Sequence, residues 1–404
     1  MFSRFHRCCI FIKTLVLCIM FLSSTGIADP GFRHWLTEFS AEAAREGINS
    51  RTYAQAFAGI EQPDPDVIRK ANFQPEFTTA IWDYLDTRVN DRSVQTGAVM
   101  AQRHADTLAA VEQRFGIDRY LLLAIWSMES AYGAVLERPG LLHYVPQALA
   151  TLAYADQRRA RFARTQLIAA LQILQAGDIT TEQLYGSWAG AMGHTQFIPT
   201  SYLAYAVDMD GNGRRDIWNS IPDALATAAN LLAKNGWRSG HPWGFEAKAP
   251  ANGFQYNGET KTLAQWRQLG FIRPNGKGYP DPEARAELKM LAGAEGPAFL
   301  LMRNFFVIKR YNNSDFYALA VGLLADQLAG KAGMVQDWPR PPGALSFEEK
   351  REVQELLQRR GLYTGAIDGD LGPLSQQAMR AFQAQAGLPV TGMATQKELR
   401  ALRR

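Results

Sequence analysis

Glu129 keeps unusual company for a carboxylate, inside the run Tyr120 to Gly133, YLLLAIWSMESAYG. At about 100° per residue, a helix puts Leu121, Ala124, Ile125, Met128 and Tyr132 on one apolar stripe, with Glu129 at its edge beside Leu122. A carboxyl group desolvated there has a raised pKa and holds a proton near neutral pH, as a general acid must. The plainer alternative is a rim glutamate that reaches water or an arginine.

A second stretch, Ser187 to Asn219, reads SWAGAMGHTQFIPTSYLAYAVDMDGNGRRDIWN. Gly190, Gly193 and the small alanines permit close backbone approach, and Gln196 brings an amide that both donates and accepts. Such groups beside aromatic faces suit a groove for sugars, and they equally suit a tight turn into a helix. His194 reads as a neighbour of such a site rather than a catalyst. Within the stretch, DMDGNGRRDIWN fits the calcium loop of the EF-hand. Asp208 stands at position 1, Asp210 at 3, Asn212 at 5, Gly213 at 6 and Arg214, through its carbonyl, at 7. Asn219 occupies position 12, where a bidentate glutamate is usual, so the expectation is weak structural calcium or a metal-free Asx/Gly turn.

Other chemistries have no foothold. The six histidines are scattered without zinc spacing, and no nucleophile elbow or phosphate loop appears. The three cysteines, Cys8, Cys9 and Cys18, lie in an N-terminal segment with a basic start, an apolar run from Leu15 to Leu22 and the small-residue exit Gly26-Ile27-Ala28. Residues 1–28 therefore read as a cleaved export signal, leaving a chain without thiols. The competing reading, an uncleaved anchor, has an apolar core short of the ~20 residues a spanning helix needs. Arg4, Arg7 and Lys13 supply three of the net +4, and the remaining +1 gives nucleic-acid binding no support.

The elements that must hold these residues are mostly helical. With 404 residues and 47% hydrophobic content, the chain can build two or three compact units. FRHWLTEFSAEAAREGI sets Trp35, Phe39 and Ala43 on one stripe before Gly47, and IEQPDPDVIRK breaks the chain between helices. PQALATLAYADQRRARFARTQLIAALQILQAG continues the helical pattern to a C-cap at Gly177, and Ser220, Pro222 and Asp223 open a helix that Gly236 stops. From about 237 to 310, recurrent Gly, Pro and Asn indicate a small β-rich insertion, with FQYNGETKTL, GPAFLLMRN and FFVIKRY as short strands or loops. Residues 336–345 form a proline-rich linker. Residues 346–404 make a separate three-helix module, opened by the Ser346/Glu349 capping box and closed by a helix that Thr395 and Glu398 begin.

MESAYG, AGAMGHTQFIPTSYLAYAVDMDGNG and RYNNSDFYALA together resemble the lytic murein transglycosylases of the membrane-bound lytic transglycosylase B type, with QPEF and ALATLAYADQRR adding to the match. The last 60 or so residues resemble a peptidoglycan-binding domain of the three-helix kind. The resemblance implies a mainly α, α+β architecture, with a lysozyme-like helical catalytic region over 29–335 beside the β-rich insertion. It implies that Glu129 is the sole catalytic acid/base and that Ser187, Gln196, Asn312 and Tyr317 line the glycan site. The family's calcium loop maps onto Asp208, Asp210, Asn212, Arg214 and Asn219, with an aspartate usual at the last position. The chemistry implied needs no cofactor, although structural Ca2+ is possible. It cleaves the bond between N-acetylmuramic acid and N-acetylglucosamine without water, leaving 1,6-anhydro ends.

The lipobox cysteine is absent, which favours a soluble periplasmic form. That form is expected to act as a monomer on peptidoglycan strands, with cell-wall synthesis or hydrolysis proteins as possible partners. A hydrolytic muramidase shares the fold and the acid but activates water; a non-catalytic wall-binding scaffold has no need of Glu129, Gln196 and Asn312 together.

Overall fold

Asp118 starts the central helix by accepting hydrogen bonds from the Tyr120 and Leu121 amides, which satisfies donors that the first turn leaves free. In the computed structural model, which describes residues 29–72 and 80–404, six helices precede it among the described residues. They are α1 (Pro30–Arg45), α2 (Ser50–Ala56), α3 (Pro65–Asn72), α4 (Ile81–Asp86), α5 (Asp91–Arg103) and α6 (Ala105–Phe115). The expected export signal, the cysteines and QPEF lie outside the described residues.

The central helix, α7 (Arg119–Ser130), buries every residue from Leu121 to Trp126. A helix apolar on all sides must be enclosed by others, and α5, α6, α11 (Ile221–Lys234) and α14 (Asp315–Leu328) surround it. Each fully buried leucine contributes about 2 kcal/mol. The helix stops at Ser130, two residues before the expected stripe ends at Tyr132. Ala131, Tyr132 and Gly133 all take positive φ, at 49, 59 and 93°, so Tyr132 leaves the stripe and its hydroxyl reaches the Ser93 carbonyl at 3.1 Å.

Between α7 and α11 run β1 (His143–Tyr144), α8 (Val145–Ala155), α9 (Ala160–Ala176), β2 (Tyr185–Gly186) and α10 (Pro199–Tyr205). The stretch expected to be continuously helical to Gly177 is thus two helices. They are separated where Asp156 accepts the Arg158 amide at 3.0 Å in a local turn. Gly177 ends α9 in the left-handed conformation, and the Ser220 hydroxyl caps α11.

An antiparallel sheet of order β3-β6-β5-β4 follows, from β3 (Gly244–Ala247), β4 (Thr260–Thr262), β5 (Arg285–Lys289) and β6 (Ala298–Leu301), with α12 (Leu263–Gln268) closing its own small core around Trp266, Phe271 and Leu288. The expected strand or loop FFVIKRY is instead part of α13 (Arg303–Tyr311). Its β-branched Val307 and Ile308 favour a strand locally, but burying Phe305 and Ile308 on one face against the helical core overrides that preference. The C-terminal module, α15 (Phe347–Arg359), α16 (Pro373–Gln385) and α17 (Gln396–Leu402), has a separate core, and both expected capping boxes are formed. No helix among the described residues is long and apolar enough to cross a membrane.

Candidate active site

Glu129 sits on the last turn of α7, and the Tyr317 hydroxyl, from the first turn of α14, donates to its Oε1 at 2.5 Å. Burial pushes the Glu129 carboxyl up to about 7, against the Tyr317 bond, which favours the ionised form and pulls it down. No other acid and no cation among the described residues bears on that value. Glu129 is half-buried, and its side-chain partner is a buried phenol rather than the arginine of the rim-glutamate alternative. Tyr317 is 3% exposed, and burial first, then the adjacent Glu129 charge, holds it well above the usual range and therefore protonated.

Tyr311 supports this pair from α13. Its ring stacks on Tyr317 at 6.4 Å and 11°, meets Phe197 edge-on, and its hydroxyl donates to the Thr195 carbonyl at 2.5 Å. Asn312 follows at the helix end with an exposed side chain. Gln196, next to Thr195, adopts φ 49° and turns its Nε2 to the Gly193 carbonyl at 2.8 Å. That positive φ marks a turn residue held in place by its surroundings. Ser187 belongs to the same layer. It accepts from the Ala189 and Ala191 amides, and the ladder Gly186, Met192, Phe197 joins its turn to that of Gln196. The structure therefore joins Glu129 directly to Tyr317, and reaches Gln196 and Ser187 through Tyr311 and the Gly193 turn.

His194 ties the turn to the central helix. Its Nδ1 accepts from Trp126 Nε1 at 3.3 Å, its carbonyl accepts from Ser130 Oγ at 2.6 Å, and burial pushes its imidazole down to about 4, which keeps the ring neutral with an acceptor free. Gly133 has room for no side chain, since a Cβ there would lie 2.5 Å from the His194 ring. Sequence reasoning missed Tyr311, Ser130 and Trp126 as members of this assembly: all three lie inside the motifs and stretches read above, but they resemble ordinary core residues there.

A transglycosylase SLT domain pattern matches residues 31–326. The chain belongs to that family. A peptidoglycan binding domain pattern matches residues 348–402. The chain is 31% identical over 238 residues to membrane-bound lytic murein transglycosylase B of Escherichia coli K12, covering 59% of this chain and 64% of that protein, a little under two thirds of that relative's length. Its fold is similar to that of SltB3 from Pseudomonas aeruginosa, solved in complex with NAG-anhNAM-pentapeptide, at 43% identity and a TM-score of 0.74 over 93% of this chain and 100% of that one. It is also similar to the Escherichia coli lytic transglycosylase Slt35 in complex with calcium, at 26% identity and a TM-score of 0.62 over 74% of this chain and 93% of that one. The lysozyme-like, mainly helical fold read from the motifs agrees with these neighbours.

The calcium-like loop meets the setting of the carboxyl group at the His194 turn, where the His194 amide donates to the Ile217 carbonyl at 2.9 Å and Gly193 packs against Ile217. Asp208, Asp210 and Asp223 each bring a carboxylate oxygen within 4.8 Å of the others. The Asp208 carboxylate accepts the Gly211 and Gly213 amides, and Asn212 Oδ1 accepts the Arg214 amide. These hard oxygens fit a divalent cation. Asn219 turns its amide nitrogen to Asp216 at 3.0 Å, so position 12 lacks the second oxygen and the charge of a carboxylate. Asp223, expected only to favour the start of α11, is fully buried and accepts the Met209, Asp210 and Asp216 amides.

Tyr317→Phe removes the bond that lowers the Glu129 pKa. The alkaline limb of the pH–rate profile, where the acid loses its proton, is expected to move upward, with kcat falling about tenfold or more. Initial rates between pH 4 and 9 check it; an unmoved limb removes Tyr317 from the assignment.

Proposed function

We propose that this protein is a lytic transglycosylase that cleaves the β-1,4 bond between N-acetylmuramic acid and N-acetylglucosamine in peptidoglycan. The observation that carries the reading is a single half-buried, desolvated carboxyl group poised near neutrality, with a tyrosine as its only hydrogen-bond partner among the described residues. Glycosidases that use water ordinarily need two carboxyl groups; here one suffices if its proton goes out and comes back.

In the proposed cycle, Glu129 gives its proton to the departing glycosidic oxygen while the muramic acid ring gains oxocarbenium character. The bond between C1 and that oxygen breaks, with the substrate's own acetamido group assisting from the opposite face. Glu129, now ionised, takes the proton of the C6 hydroxyl, whose oxygen bonds to C1 and closes the 1,6-anhydro ring. The acid is regenerated and no water is consumed. Burial raises the pKa and keeps competing water away. Gln196, Ser187, Asn312 and Tyr317 supply donors and acceptors for the acetamido and hydroxyl groups.

The anhydro sugar in the SltB3 complex supports this chemistry, and the match at 348–402 supports wall binding by α15 to α17. The export-signal reading of residues 1–28 and a wall substrate both support a periplasmic location. Asp208, Asp210, Asn212, the Arg214 carbonyl and Asn219 would hold calcium, whose contribution is to stiffen the loop.

Digestion of purified sacculi by residues 29–404, read by mass spectrometry, tests the proposal. Fragments ending in 1,6-anhydromuramic acid, about 18 Da lighter than reducing ends by one water, are expected. Reducing ends would make it a muramidase, and intact sacculi a wall-binding scaffold.

A further inference from the structure

The linker expected to be a stiff spacer is fastened at both ends. The Val335 and Gln336 amides donate to the two carboxylate oxygens of Glu246 on β3 at 2.9 and 2.8 Å, and Gln336 Nε2 donates to the Ala247 carbonyl at 3.0 Å. Trp338 stacks on Phe299 of β6, centroids 6.2 Å apart. Arg340 then forms a two-pronged pair with Asp86 of α4, at 2.6 and 2.7 Å, with the two side chains only 29% and 17% exposed. Lys350 of α15 pairs with Asp83 of the same helix.

α4 is the element most in need of such fastening. It has six residues and no side-chain cap at Ala80, and a helix that short is not stable in water by itself. Ile81 and Leu85 anchor one face. Between the two fastened aspartates stands Tyr84, which meets Phe316 edge-on at 5.8 Å and lies close enough to Tyr317 to act on it electrostatically. Phe316 is the residue before the Glu129 donor, and α4 packs against α14.

We propose that Arg340 and Asp86 are a positioning pair of the active site. The linker seats α4, α4 seats Tyr84 against Phe316, and these hold Tyr317 on Glu129. The C-terminal module is thereby fastened to the wall of the site rather than trailing from it. The proposal rests on Glu129 being the catalytic acid. Arginine suits the role because its planar fork fixes both direction and distance on a carboxylate, which a lysine does not.

The test uses the full chain and short glycan fragments, whose turnover does not depend on wall binding. Asp86→Arg and Arg340→Asp each put like charges in contact. Each is expected to lower kcat about tenfold, as small misplacements of catalytic groups do, with KM little changed. The alkaline limb of the pH–rate profile moves up as the Tyr317 bond loosens. The double exchange restores kcat and the limb to within about twofold. Should a reversed variant fail to fold, Arg340→Gln, which only removes the fork, is expected to show the same shift of the limb with a smaller loss.

Unchanged kcat and limb in Arg340→Gln and the reversals, or a double exchange that restores neither while melting like the wild type, would overturn the proposal. So would a wild-type chain that releases no anhydro product, but that result condemns the catalytic reading first and is seen before any variant is made.

Discussion

Glu129→Gln is expected to lower the release of anhydro fragments from sacculi by roughly 10³-fold or more, because the amide can neither give nor take back the proton. Sacculus binding stays, since α15 to α17 are untouched. The same substitution has a second, opposite effect on stability. The folded-state pKa of about 7 lies above the ordinary 4.5, so between those pH values the folded chain keeps a proton that the unfolded chain has lost. Wild-type stability therefore falls as pH rises from about 4.5 to 7 and stays lowered above that range. Glutamine carries no such penalty. The variant is expected to gain on the order of 2 kcal/mol relative to wild type at pH 8, and nothing at pH 4. Denaturant melts at the two pH values, alongside product analysis, check both halves. Full turnover by the glutamine variant sinks the assignment of Glu129, and a pH-independent stability difference removes the desolvation argument.

Asp223→Ala is the second large effect, and it falls on stability. The side chain is fully buried beneath the calcium-like loop, with the Met209 and Asp216 amides at 2.8 Å and Asp210 at 3.3 Å. Removing it leaves three backbone donors without their acceptor, a loss of about 3 to 5 kcal/mol. Burial, with repulsion from Asp210 as a smaller cause, raises the Asp223 carboxyl, and the three amides oppose the shift. Asp223→Asn keeps one acceptor oxygen and is expected to lose about half as much. Millimolar calcium should raise the melting temperature of the wild type and leave the alanine variant unmoved. The damage should also reach the active site through Ile217, the His194 amide and the Gln196 turn. An alanine variant as stable as wild type would show that the loop is held by other means.

Much of the architecture follows from local rules. Caps at Asp118, Ser220, Ser346 and Thr395 satisfy donors within a few residues, so they can be read one turn at a time. The end of α7 could not be read so. Ala131 and Tyr132 adopt left-handed conformations that their side chains disfavour, and the Ser130 bond to His194, 64 residues on, helps hold them there. The helix over Arg303–Tyr311 was hidden for a similar reason: its β-branched residues favour a strand until the core claims one face.

For the site, sequence alone determined that Glu129 is a carboxyl group at the edge of an apolar helix stripe, that Gln196 and Asn312 stand in motifs of a wall-cleaving family, and that position 12 of the metal-like loop is an amide. Chemical type and spacing carry those statements, and neither needs a partner from far along the chain. Tertiary structure alone decided that the partner of Glu129 is Tyr317, 188 residues away, that Tyr311 and His194 brace the pair, and that the linker grips α4. A pKa depends on which atoms exclude water and which one donates. Those atoms arrive from α7, α14 and the Gln196 turn only when the core closes around Trp126.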